Sequence, residues 1–243
     1  MKNKSFLGLF LLILALMSAA AAGAADSYSF ELSEGYSFSE ENEHWSIEIS
    51  MPKVSGMADK EEQEALNEYI LSQKDEMLEE YRELTASAEQ SVKDGYDPHF
   101  MYQYSWDIIT DNNDFFVFRI AWFFASASAT TLSEYFNLDK KTGRLLDFDE
   151  DAVTTPEEMA YIREEILAQM EAANEESRRE YGAGLFRTED GSLDNALGQA
   201  GNRNHWYYNG DNDLVITFDK YEIAPGVMGS PEFVIPHMPR TAG

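Results

Sequence analysis

The segment Phe100–Phe124, FMYQYSWDIITDNNDFFVFRIAWFF, carries the strongest structural pattern in the chain. Aromatic and aliphatic residues occupy every second position on both sides of a polar turn at Thr110–Asp114. Such alternation is typical of strands that have one buried face. The segment therefore predicts an antiparallel hairpin, and we expect its aromatic face, from Phe100 through Ile108 and from Phe116 onwards, to belong to the core.

Further strands are predicted on both sides of this hairpin. Trp45–Met51 alternates in the same way before a break at Pro52, and Tyr28–Leu32 reads as a strand upstream. Downstream, Thr130–Leu138 is followed by a turn and by Arg144–Phe148. Three short strands are predicted near the end of the chain: Trp206–Tyr208, Leu214–Phe218 and Phe233–Ile235.

Two long amphipathic helices separate these strands. Residues 58–90 place apolar residues three, four or seven positions apart. A second helix is predicted from Thr155, where T-P-E-E combines a capping box with proline at the first helical position, and it ends before Gly182. Because the strands are joined largely by hairpins, the sequence predicts an α+β fold. In it, two long amphipathic helices pack on antiparallel sheets.

The N-terminus has the features of a signal peptide. Lys2 and Lys4 precede the apolar run Phe6–Met17, and small residues follow up to Ala25. The apolar run is shorter than the roughly twenty residues that span a bilayer, so we expect cleavage near Ala25 instead of a retained anchor. The predicted division is a signal peptide at 1–25, an N-terminal α+β module at 26–128 and a C-terminal α+β module at 129–243. The protein is expected to be exported, to the periplasm or the extracellular space.

The composition excludes some classes of function and disfavours others. The 243 residues include no cysteine, which excludes thiol catalysis and thiolate metal sites. The formal net charge of -27 repels nucleic acid and anionic membranes but attracts cationic partners. The same acidity would also be explained by solubility alone.

Catalytic motifs are missing from the sequence. It contains no G-x-S-x-G or S-x-x-K motif and no phosphate-binding loop, and the histidines do not have the spacing of a metal site. The histidines are His44, His99, His205 and His237. We therefore predict a protein that is not an enzyme and that uses no cofactor or metal.

One loop is a candidate contact surface. The segment between the last two strands, Tyr221–Gly229, is apolar and rich in proline and glycine. A loop that exposes apolar side chains suggests a binding surface, whereas a buried crossover would explain the same composition. The predicted partner-binding residues are Tyr221, Pro225, Gly226, Val227 and Met228.

Two motifs carry a resemblance to known families. Phe136–Leu146, FNLDKKTGRLL, and the pattern LVITF…YEIAP…G…FVIP within Leu214–Pro236 resemble the family DUF3298. Pro52–Gly56 and the helix after it are similar, more weakly, to DUF4163. These paired modules form the extracellular part of RsiV-type anti-sigma factors that bind lysozyme, and they also occur beside peptidoglycan deacetylase domains. The resemblance implies a non-catalytic binding role at the cell envelope, with lysozyme or a similar cationic protein as partner.

The sequence departs from this family at two places. Gly226 stands where the family often has an aromatic residue, and Ala125–Thr131 replaces a stretch that commonly contains glycine and histidine. No segment resembles a sigma-binding region or a spanning helix, so we expect a soluble binder and not a transmembrane relay. The alternative hypothesis is a peptidoglycan- or carbohydrate-binding domain that stacks sugar rings on Trp206, Tyr207 and Tyr208.

Overall fold

The computed structural model describes residues 27–188, 191–202 and 205–236. The predicted signal peptide lies outside these residues. Within the described part of the chain, no helix is both long enough and apolar enough to cross a membrane. Runs of mostly antiparallel strands are separated by long helices along the chain, which confirms the predicted α+β class.

A six-stranded sheet forms the first layer, and its strands follow one another in chain order. They are β1 (Glu31–Glu41), β2 (Trp45–Ser55), β3 (Phe100–Asp111), β4 (Phe115–Ala125), β5 (Ala129–Asp139) and β6 (Arg144–Leu145). All neighbouring strands are antiparallel except β2 and β3, which are parallel. The helix α1 (Lys60–Lys93) joins those two strands, because a parallel pair needs a long crossover connection.

A smaller, three-stranded sheet forms the second layer. It contains β7 (Trp206–Tyr208), β8 (Leu214–Thr217) and β9 (Glu232–Ile235), all antiparallel. A π-helical turn (Phe148–Ala152), α2 (Pro156–Tyr181) and α3 (Ser192–Leu197) precede it in the chain. The predicted start of α2 is confirmed, because the side chains of Thr155 and Glu158 form the reciprocal capping box. Its end is confirmed at Gly182, which has a φ of 77°.

Three predicted strands have boundaries that are wrong by more than two residues. The first, predicted at Tyr28–Leu32, spans Glu31–Glu41, because it pairs with β2 from Glu31 to Glu41. β2 continues through Pro52 to Ser55, because Pro52 lies beside an irregularity in the pairing with β1 and beyond the part of β2 that pairs with β3. Proline is tolerated there because little ladder hydrogen bonding is lost. The strand predicted to reach Phe148 ends at Leu145, because the side chain of Asp147 accepts from the backbone N–H groups of Asp149 and Glu150 and begins a helical turn.

The predicted burial of Ile108 is also wrong. Tyr102 and Tyr104 are buried as expected, but the Ile108 side chain is 48% exposed. The pairing between β3 and β4 shifts between Ile108 and Thr110, so that the two faces of the strand exchange at this bulge. Thr110 is buried instead, and its hydroxyl donates to the carbonyl oxygen of Tyr208 at 2.9 Å.

Two separate hydrophobic cores result. The first lies between α1 and the six-stranded sheet, and Ile70, Phe118 and Phe136 are completely buried in it. The second is enclosed by α2, α3 and the three-stranded sheet, with Ile166 and Ile235 at its centre. The chain passes from the first core to the second between Leu145 and Leu146, which pack against different cores.

Strand β5 belongs to both halves of the molecule. Phe136 and Leu138 point into the first core, whereas Tyr135 and Asn137 are buried against β7 and β9 of the second sheet. The predicted module boundary between residues 128 and 129 falls in the turn between β4 and β5, which pair along their full lengths. The division into separately folding modules stays a prediction.

We call the contact of β5 with β7 and β9 the joint between the two sheets. Asn137 makes hydrogen bonds across this joint. Its side chain is 1% exposed, and its Oδ1 accepts from the backbone N–H of Tyr208 at 2.9 Å. Its Nδ2 donates to the carbonyl oxygen of Trp206 at 3.4 Å. Because buried backbone groups need partners, this amide satisfies the edge of β7 that faces the first sheet.

We expect Asn137→Ala to lower the free energy of unfolding by about 2–4 kcal/mol, because it leaves two buried backbone groups without a partner. Urea unfolding followed by circular dichroism measures this change. Asn195→Ala is the control, since Asn195 is exposed on α3 and should change stability by less than about 0.5 kcal/mol. Equal effects of the two substitutions would contradict the assigned role of Asn137.

The cap of α2 makes stability depend on pH. Burial alone would raise the pKa of Glu158, but hydrogen bonds from Thr154 and Thr155 hold this pKa below its ordinary value. A carboxyl whose pKa is lower in the folded state stabilises the fold above its unfolded pKa of about 4.3, and loses that effect as the pH falls.

We therefore expect Glu158→Gln to cost about 1–2 kcal/mol at pH 7, and less as the pH falls below about 4.5. Urea titrations at several pH values measure the difference from the wild type. Glu157→Gln, at an exposed position of the same helical turn, is the control. A cost for Glu158→Gln that stays constant down to about pH 3 would exclude this explanation.

Candidate partner-binding surface

The loop after β8 is anchored in its middle and exposed at its ends. Ile223 is fully buried in the second core and Ala224 is also buried, whereas Tyr221 is 61% exposed and Val227 is 88% exposed. Pro225 is also exposed. The loop therefore combines the exposed binding surface and the buried crossover that its sequence left open as alternatives. Its buried middle holds apolar side chains out in solvent.

Tyr221 and Gly226 are in direct contact within this loop. Tyr221 has a φ of 76°, which is unusual for a residue with a side chain, and its ring lies over Gly226. A Cβ atom at position 226 would lie 2.1 Å from Cε1 of Tyr221. The contact with the ring explains why glycine occupies position 226, since any side chain there would displace the ring of Tyr221.

Lys220 ties the loop to the first sheet. Its Nζ donates to the carbonyl oxygen of Ala129 at 2.8 Å and lies 5.2 Å from the centre of the Tyr221 ring. Ala129 is the first residue of β5 and lies within Ala125–Thr131. The two departures from the family pattern, distant in sequence, are therefore neighbours on one surface.

An acidic groove lies beside this loop, between α1 and strands β3–β5. Its volume is about 760 Å³. Among the described residues that line it, none is lysine or arginine. Its acidic residues are Glu76, Glu80, Glu134 and Asp219, and its aromatic residues are Tyr69, Tyr102, Tyr104 and Trp122. Asp219 comes from the segment that leads into the loop, so the groove and the loop share an edge.

Tyrosine hydroxyls hold two of the acidic side chains of the groove. Tyr69 donates to Glu134 at 2.8 Å, and Tyr102 donates to Glu80 at 3.1 Å. Burial raises the pKa values of Tyr102 and Tyr104, and the nearby carboxylates raise them further. These phenols stay neutral donors, which leaves the negative charge of the carboxylates in place.

The aromatic residues proposed for sugar stacking are engaged elsewhere. Trp206 is 2% exposed in the second core. Tyr207 stacks on Tyr135 with ring centres 4.7 Å apart, and Tyr208 stacks on Phe115 at 4.2 Å. Because these rings fill the joint between the sheets, the main support for a carbohydrate-binding surface is removed.

Folding brings together polar residues that the sequence keeps apart. The rings of His44 and His99 are 6.1 Å apart, with a carboxylate oxygen of Asp97 3.3 Å from a nitrogen of each. His205 is buried beside Asp219 and Glu222. No sequence spacing signals either group, because His44 and His205 are each far along the chain from the other members of their group. The fourth histidine, His237, lies outside the described residues.

Comparison with known proteins agrees with the resemblance seen in the sequence. Residues 150–238 match the family DUF3298, described as a protein of unknown function, and residues 38–122 match the family described as deacetylase PdaC. The anti-sigma-V factor RsiV of Bacillus subtilis is 27% identical over 197 residues, which cover 81% of this chain and 65% of RsiV. The chain is thus similar to the tandem modules of RsiV-type proteins, and the DUF3298 match lies in its C-terminal part.

A solved structure of a DUF3298 protein supports the fold. A member of the family from Bacteroides fragilis has a TM-score of 0.54 and 14% sequence identity, over 87% of this chain and 92% of that one. A second, from Pseudomonas aeruginosa, has a TM-score of 0.46 and 16% identity, over 86% and 88% of the two chains. At these identities the first match shows a common architecture and nothing about activity.

The contact between Gly226 and Tyr221 predicts an energetic coupling. Gly226→Ala should lower the free energy of unfolding by about 0.5–1 kcal/mol, because the new methyl group displaces the exposed ring from its contact. In a Tyr221→Ala background the same substitution should cost less than about 0.5 kcal/mol. A double-mutant cycle in urea measures both values. Equal costs in the two backgrounds would show that the ring does not constrain position 226.

Proposed function

We propose that the protein is an exported binding protein of the cell envelope that contacts a cationic protein such as lysozyme. The proposed contact surface combines the loop Tyr221–Gly229 with the acidic groove beside it. The observation that carries this proposal is the exposure of Tyr221 and Val227 next to a groove that is lined by carboxylates.

The comparisons favour an envelope-associated, non-catalytic domain. RsiV is named as an anti-sigma factor, and DUF3298 has no assigned activity. The match to PdaC is confined to residues 38–122, which contain α1 and strands of the first sheet. The match covers 65% of RsiV, so the partner of this chain is inferred from its own surface and from the family resemblance.

Charge and shape suit a basic protein partner. Arginine and lysine side chains can enter the groove, where carboxylates attract them and aromatic faces stack with them. Apolar residues of the loop would supply the contacts that salt does not screen. This division predicts a rapid, charge-assisted encounter and a complex that persists at physiological ionic strength.

We expect lysozyme to bind the mature chain, and Tyr221→Ala to weaken binding at least tenfold, as for an exposed aromatic residue at the centre of an interface. Isothermal titration calorimetry measures the dissociation constant. Tyr181→Ala is the matched control, because Tyr181 is also exposed, at 74%, but lies at the end of α2. Equal losses for the two variants would remove the loop from the interface.

The salt dependence decides between specific binding and bulk attraction. Glu80→Gln should weaken binding and reduce its salt dependence, whereas Glu171→Gln, at an exposed site on α2, should change little. Binding that disappears at about 150 mM salt would show non-specific attraction only and would overturn the proposal. Cosedimentation with purified peptidoglycan, without lysozyme binding, would favour the alternative hypothesis.

A further inference from the structure

We propose that His205, Asp219 and Glu222 form a binding site for a divalent metal ion of the zinc class. Each residue offers one ligand atom, and these atoms all lie within 4.8 Å of one another. Zinc binds histidine nitrogen and carboxylate oxygen at about 2.0–2.2 Å, and a site with three protein ligands keeps a fourth position open. Small side-chain adjustments would bring three ligands so placed onto one ion.

The ring of His205 is oriented by a backbone carbonyl, as the rings of metal-binding histidines commonly are. The residue is 4% exposed, and its Nδ1 lies 3.1 Å from the carbonyl oxygen of Thr217. The only hydrogen bond possible with a carbonyl requires the proton on Nδ1, so Nε2 of the neutral ring carries the lone pair. Histidine ligands commonly donate their second N–H to a backbone carbonyl in this way, which fixes the orientation of the ring.

The two carboxylates come from the turn that follows β8. One oxygen of Glu222, Oε2, accepts from the backbone N–H of Asp219 at 2.8 Å, and this bond holds the turn closed. The second oxygen of Glu222 can serve as a ligand while that bond remains. Both acidic residues are half-buried, whereas His205 forms the buried end of the cluster.

The chemistry of the donors selects the metal. One imidazole and two carboxylates suit zinc and related transition ions, whereas calcium prefers six to eight oxygen ligands. The other histidine group in the described chain is more exposed, since His99 and Asp97 are 64% and 75% exposed. That group is therefore the natural control for non-specific binding of metal at the surface.

A metal at this position would brace the candidate contact surface. Glu222 follows Tyr221 directly, and Asp219 lines the acidic groove. An ion that joins both residues to His205, which directly precedes β7, would fix the base of the loop to the second sheet. The proposal does not depend on the identity of the protein partner.

The test uses the mature chain after treatment with EDTA, titrated with zinc chloride in competition with a chromophoric chelator. We expect one zinc ion per chain and a higher melting temperature when zinc is bound. Glu222→Gln keeps an oxygen for the backbone of Asp219 but lowers affinity, and we expect a loss of at least ten- to a hundredfold for it and for Asp219→Asn. His44→Gln and His99→Gln should leave zinc affinity unchanged.

Failure of the wild-type chain to bind zinc would overturn the proposal. Zinc binding that His44→Gln abolishes, and that Glu222→Gln and Asp219→Asn leave intact, would also overturn it by placing the ion elsewhere. His205→Gln alters a buried residue, so circular dichroism of each metal-free variant establishes that it is folded. Because no lysozyme is present in these measurements, a negative lysozyme titration would leave their outcome unaffected.

Discussion

The two faces of β5 are the constraint on which the rest of the structure depends. Phe136 and Leu138 complete the first core, while Tyr135 and Asn137 meet the second sheet. Successive side chains of a strand point to opposite faces, so a slip of one residue in the pairing with β4 would reverse both sets. A buried phenylalanine cannot supply the amide hydrogen bonds of Asn137, and thus the joint fixes the register.

The same strand places the candidate contact surface. Its first residue, Ala129, receives the hydrogen bond from Lys220, and its later residues Leu132, Ser133 and Glu134 line the acidic groove. The loop belongs to the second half of the molecule and α1 belongs to the first. Their relative position is therefore set by β5 and by the aromatic pairs that stack across the joint.

The sequence was sufficient to predict those elements that depend only on residues close to one another in the chain. The alternation around Phe118 and the capping box at Thr155 each depend on neighbours in the sequence, and the strand and the helix start that they predict are confirmed. The single buried face predicted for β4 is wrong, because the second sheet also covers its other face at Phe115. Pro52, Ile108 and Trp206 behave differently, because their environments depend on which strand lies beside them. Ile108 is exposed next to a bulge in β3, whereas Trp206 is buried in the second core. The pairs Gly226–Tyr221 and Lys220–Ala129 likewise arise from loop geometry that no spacing rule contains.

The distribution of counter-charges explains why the groove can remain a binding surface in so acidic a protein. Positive side chains are scarce, since the chain has 18 lysine and arginine residues against 45 acidic ones. Two of them form ion pairs near the joint, where Lys140 pairs with Asp111 and Arg144 pairs with Asp151. In the groove, Glu80 and Glu134 accept from tyrosine hydroxyls instead. A neutral donor orients a carboxylate without cancelling its charge, whereas an ion pair would cancel it. The groove therefore keeps both a fixed geometry and a negative field, which is what recognition of a cationic side chain requires.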